Sequence, residues 1–95
     1  MKYIIINNKF IDLKQWDKDL HEVWLELNEK GEVLKEIGFN CNMQITYIYP
    51  SDKYMYGKRG IFDSTIFDMT KLTNEISSTD FYSVMNSNLS YPEKN

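Results

Sequence analysis

A chain of 95 residues, 42% hydrophobic and 15% aromatic, can form one apolar core without staples, near the lower size limit for independent folding. Its formal charge of −3 argues against a general nucleic-acid binder, and its seven Tyr, five Phe and two Trp argue against disorder. The lone cysteine, Cys41, excludes an intrachain disulfide and fits a reducing, cytoplasmic setting.

In chain order, Lys2 to Ile6 is apolar and β-branched, which predicts a first strand ended by Asn7-Asn8. Ile4-Ile5-Ile6 is far too short for a signal peptide's apolar stretch or a membrane span. From Asp12 two readings compete. Leu13, Trp16, Leu20, Val23, Trp24 and Leu27 fall at helical spacing, with Gly31 as a possible stop. The alternative is a short helix or turn before Glu22, followed by a strand. It is preferred because Val23, Leu25 and Leu27 alternate with Glu22, Trp24 and Glu26, and because Glu29-Lys30-Gly31-Glu32 suits a hairpin turn. Runs from Glu32 to Phe39 and from Met43 to Tyr49 extend the pattern to three consecutive strands.

After Pro50 the chain turns polar and aromatic, and Gly57 and Gly60 around a basic pair mark a loop. Ile61, Phe62, Ile66 and Phe67 then supply anchors for an irregular segment lying across the sheet. Ser77, with Asp80 three residues on, makes a capping-box-like helix start, and Ile76 with Phe81 fits a hydrophobic staple. Phe81, Val84 and Met85 form one apolar helical face. The expectation is an α+β fold: an antiparallel sheet of about four strands, with residues 22–49 as a meander and a short C-terminal helix packed on one face. Residues 1–95 are read as a single domain with a frayed polar tail from about residue 88.

The residues that could carry chemistry are few. His21 is the only histidine, so a multi-histidine metal site or a histidine pair for acid–base work is excluded. Asp17-Lys18-Asp19 is too sparse for a carboxylate metal site, and no calcium-loop pattern is present. No catalytic residue, metal or cofactor is therefore expected. Gly57-Lys58-Arg59-Gly60 lacks the spacing and the following Ser/Thr of a phosphate loop. Together Lys53, Tyr54, Tyr56, Lys58 and Arg59 form a basic, aromatic patch that could contact nucleic acid; the plainer reading is a glycine-rich turn with solvated cations.

The acidic bias is broader. Asp12, Asp17, Asp19, Glu22, Glu26, Glu29, Glu32 and Glu36 face only Lys14, Lys18, Lys30 and Lys35, a local charge of −4. Such a surface either keeps the protein solvated or steers a basic partner toward it. Glu22, Trp24, Glu26 and Glu36 are the expected partner-binding residues, with Trp24 as the anchor.

The run Glu22-Val-Trp-Leu-Glu-Leu-Asn-Glu-Lys-Gly-Glu-Val-Leu-Lys-Glu-Ile-Gly-Phe39 resembles the opening hairpin of small bacterial proteins of the immunity type. Glu75-Ile-Ser-Ser-Thr-Asp-Phe81 is similar to a helix start near their C-termini. The two stretches together span 25 of the 95 residues. The chain departs from that pattern at Asn40-Cys41-Asn42, where a second turn glycine is common. The resemblance implies a non-enzymatic cytoplasmic inhibitor that occludes a cognate toxin of polymorphic or contact-dependent type, such as a nuclease with a basic active-site cleft. On that reading it has no direct nucleic-acid or membrane partner. A phage-encoded inhibitor of a defence nuclease is the alternative in the same mechanistic class. A small nucleic-acid-binding accessory domain using the 53–60 loop is the alternative in another.

Overall fold

The computed structural model describes residues 1–50, 60–72 and 74–87. Strands β1 (Lys2–Asn7), β2 (Glu22–Leu27), β3 (Val33–Phe39) and β4 (Ile45–Tyr49) form one antiparallel sheet in the order β1-β2-β3-β4. Helix α1 (Ser78–Ser87) follows, so the fold is the expected α+β meander with a C-terminal helix. The segment before β2 holds only a 3₁₀ turn at Leu13–Gln15, started by the Asp12 carboxylate accepting from the Lys14 amide at 3.1 Å. A single helix from Asp12 to Lys30 is not formed. In a helix Leu25 would lie off the apolar stripe, whereas in the strand it is fully buried.

Two turns join β2 to β3 and β3 to β4, and they are built alike. The Asn28 side-chain oxygen accepts from the amides of Lys30 (2.9 Å) and Glu32 (3.0 Å). The Asn40 side-chain oxygen accepts from Asn42 and Gln44, both at 2.9 Å. Each loop needs one left-handed residue, which is Gly31 (φ 86°) in the first turn and Met43 (φ 59°) in the second. The missing second turn glycine thus changes the residue at that position and not the bonding around it. Gly31 carries a further demand, since a Cβ there would lie 2.1 Å from the Phe67 carbonyl oxygen.

The sheet is covered on both faces. Val23, Leu25 and Leu27 join Ile4, Ile6, Leu13, Leu20, Tyr47 and Phe62 in one core, beneath the 8–20 and 60–72 segments. The other face carries Ile37, Phe39, Ile45 and Ile48 under Phe81 of α1. The expected helix start is present: the Asp80 amide donates to the Ser77 hydroxyl at 3.0 Å, and Ile76 packs in the same cluster as Phe81. Full burial of the Phe81 ring contributes about 1.5–3 kcal/mol to docking the helix. Of the four anchors expected beyond residue 60, Phe62 is buried and Ile61 and Phe67 are half-buried. Ile66 is 70% exposed, because its backbone pairs with Glu32 at the rim of the sheet.

Two irregularities set which face each side chain takes. Register shifts between Glu26 and Leu27, so that Lys35 opposes Glu26 while Val33 opposes Leu27, leaving Leu34 as the extra residue. A second shift between Gly38 and Phe39 leaves Thr46 unpaired in β4. Val33 and Ile37 are four residues apart, yet they belong to opposite cores. Glu36 opposes Leu25 and therefore points to the same face as Val23 and Leu25.

Candidate partner-binding surface

The four residues expected to meet a partner divide into two kinds. Glu36 is fully buried, on the face opposite Trp24. Its carboxylate accepts from the Tyr47 hydroxyl at 2.6 Å and from the backbone amides of Ile61 (2.9 Å) and Phe62 (3.0 Å). It acts as an internal fastener that holds the chain after Gly60 onto the sheet. The approach is so close that a Cβ on Gly60 would lie 1.9 Å from a Glu36 oxygen. Burial pushes the Glu36 carboxyl above the ordinary range, against the lowering effect of these three donors; Asp63 adds to the rise. The assignment of Glu36 to a partner surface is corrected accordingly.

Glu26 is also withdrawn from that surface, being only 3% exposed. It lies on the Trp24 face but under α1. One oxygen accepts from the Tyr3 hydroxyl (2.8 Å) and from the Tyr82 hydroxyl, and the other lies 3.9 Å from the Lys35 ammonium. Lys35 in turn donates to the Tyr82 hydroxyl at 2.9 Å and sits 4.7 Å from the centre of that ring. Burial, with the Glu26 carboxylate beside it, holds the Tyr3 hydroxyl up at about 12 and raises that of Tyr82 as well. Four side chains from β1, β2, β3 and α1 thereby lock the helix to the sheet. The long sequence separation hides this network: Tyr82 is 56 residues from Glu26, and only its place one step after Phe81 on the helix hints at the contact.

Glu22 and Trp24 remain at the surface, both half-buried. The indole N–H donates to the Glu22 carboxylate at 2.6 Å, and the ring packs on Phe39 with centroids 4.8 Å apart. The indole is thus held in one orientation with its carboxylate alongside. Nearby in sequence Asp12, Asp19 and His21 are exposed and Asp17 is half-buried; Glu29 and Glu32 are exposed at the other end of β2. Of the eight carboxylates between Asp12 and Glu36, only Glu26 and Glu36 are taken into the interior.

The basic and aromatic residues Lys53, Tyr54, Tyr56, Lys58 and Arg59 lie outside the described residues, as does the tail expected from residue 88. Among the described residues no three His, Cys, Asp or Glu side chains gather as a metal site would require, and no helix is long and apolar enough to cross a membrane. Comparisons with family models, curated proteins and solved structures find no match for this chain.

Proposed function

We propose that this protein is a non-enzymatic, cytoplasmic inhibitor of the immunity type that binds a cognate protein toxin through the Glu22–Trp24 surface. The observation that carries the reading is the indole–carboxylate pair itself. An aromatic ring already fixed by Glu22 and Phe39 loses little freedom when a partner covers it, and Trp is among the residues most enriched at interface centres. The Glu22 carboxylate held beside it favours a partner that presents a basic group, as a nuclease cleft does, and such a charge raises the association rate more than the affinity. The resemblance of the 22–39 hairpin and the capped 75–81 segment to immunity-type proteins supports the same reading.

The test is capture from the native host at moderate salt with the tagged protein, followed by analysis of the bound material for protein and nucleic acid. The expected result is one stoichiometric protein partner whose activity is suppressed in the complex. Glu22→Lys should slow its association, with Trp24→Ala speeding its release. Recovery of nucleic acid without a protein partner would overturn the proposal and move attention to residues 53–60.

A further inference from the structure

Helix α1 rests on the sheet by a narrow footing. Among residues 78–86 only Phe81 is buried, while Tyr82, Val84 and Met85 are half-buried. Ten residues are too few for a stable isolated helix, which in water needs about 12–15, so α1 is helical only while docked. The polar part of the footing is easily released. Glu26, Tyr3, Tyr82 and Lys35 satisfy one another at the interface, and each meets water instead when the helix leaves. The Glu26 carboxylate then regains its hydration, which offsets the contacts it loses. Only the Phe81 ring gives up apolar burial with nothing in exchange.

The rest of the fold does not lean on the helix. The core on the opposite face, which holds Leu13, Leu20, Val23, Leu25 and Phe62, is built from residues outside α1. The chain entering α1 has its own ties to β1. The Ile5 amide donates to the Asn74 carbonyl and the Ile76 amide to the Tyr3 carbonyl, both at 2.8 Å. The Lys2 ammonium lies 3.3 Å from the Glu75 carboxylate. These ties end at Ile76, one residue before the Ser77 cap, which sets the pivot there. Beneath the helix, Ile37 and Ile48 are buried in one cluster with Phe81, and Ile37 is the direct strand partner of Trp24.

We infer that α1 is a displaceable lid over the Trp24 face. It undocks and melts as one unit about Ser77 while the sheet and the opposite core stay folded, and its release uncovers Ile37 and Ile48 beside the indole. The use of this lid as an autoinhibitory contact rests on the inhibitor reading; the opening itself does not, and it is tested without a partner.

The first measurement is amide hydrogen exchange of the full chain at urea concentrations below the unfolding transition. The amides of residues 81–86 should exchange through one shared opening, with an opening constant at least about 100-fold larger than that of Val23 and Leu25 in the central strand β2. That opening should also depend less steeply on urea, because less surface is exposed. The second measurement uses Phe81→Asp in a Trp16→Phe background, where Trp24 is the only indole. Helical carbon shifts of residues 78–87 should be lost, the methyl shifts of Val23, Leu25 and Leu27 retained, and quenching of Trp24 by acrylamide increased. One common opening for 81–86 and β2 would overturn the inference. So would loss of the sheet in Phe81→Asp, or unchanged Trp24 quenching once the helix is gone.

Discussion

Glu26 and Glu36 project from neighbouring strands, one pairing step apart, and both carboxylates are inside the protein, on opposite faces of the sheet. Their surroundings differ in kind. Around Glu36 the described donors are one hydroxyl and two backbone amides of an irregular segment, so the carboxylate substitutes for the strand partner that Ile61 and Phe62 lack. Around Glu26 the donors are side chains of Tyr3, Tyr82 and Lys35, and Lys35 is itself partly in water. One carboxylate fixes backbone and the other fixes a helix. Removing the first strands buried amides, whereas removing the second leaves groups that can still turn toward solvent.

That difference can be broken by substitution. Glu36→Gln should have the largest effect, destabilising by about 3 kcal/mol in urea denaturation, because the amide N–H₂ must oppose one of the three donors. The penalty should depend on pH. The folded-state carboxyl is raised above its unfolded value near 4.5, so the folded protein binds this proton more readily. The stability from Glu36 is fully present below that value and is lost as pH rises through the folded one. The gap between wild type and Glu36→Gln should therefore widen from pH 7 to pH 5; a gap that narrows would contradict the desolvated environment. Gly60→Ala should cost about 2 kcal/mol through the clash with the same carboxylate, and much less in the Glu36→Gln background if that amide side chain swings clear.

On the other face Tyr82→Phe should cost only about 1 kcal/mol, since Tyr3 and Lys35 still satisfy Glu26. A loss equal to that of Glu36→Gln would erase the contrast between the two carboxylates. Glu22→Gln sharpens it from below. Half-exposed and bonded to one indole, it should shift stability by less than about 0.5 kcal/mol, measured on the same denaturation curve.

Much of the fold was legible because local signals agreed. Val23, Leu25 and Leu27 alternate, Gly31 marks the first turn, and Ser77 with Asp80 announces the helix. The second turn was less legible without a glycine, although the spacing of Asn40 and Gln44 repeats that of Asn28 and Glu32, and these pairs make the same bonds. The surface is less legible. Sequence groups Glu36 with Glu22 and Glu26 as partner-binding carboxylates, but pairing opposite Leu25 and the segment after Gly60 take it inside. Alternation along β3 gave no guide, because the extra residue at Leu34 resets the period of two. Alternation along β2 puts Glu26 on the Trp24 face, but its burial depends on Tyr82 arriving from 56 residues away, which no local pattern records. Glu22 and Trp24 are half-buried, with the indole lying on Phe39 and bonded to the Glu22 carboxylate.

The most direct test of the division between internal and surface carboxylates is amide hydrogen exchange at Ile61 and Phe62, in wild type and in Glu36→Gln. These two amides donate to the Glu36 carboxylate and have no strand partner, so the protection lost in Glu36→Gln reports that contact. Slow exchange in wild type that becomes fast in Glu36→Gln, with Glu22→Gln unchanged from wild type, is the predicted result. Fast exchange at both amides in wild type would place Glu36 free of the 60–62 segment and contradict the account.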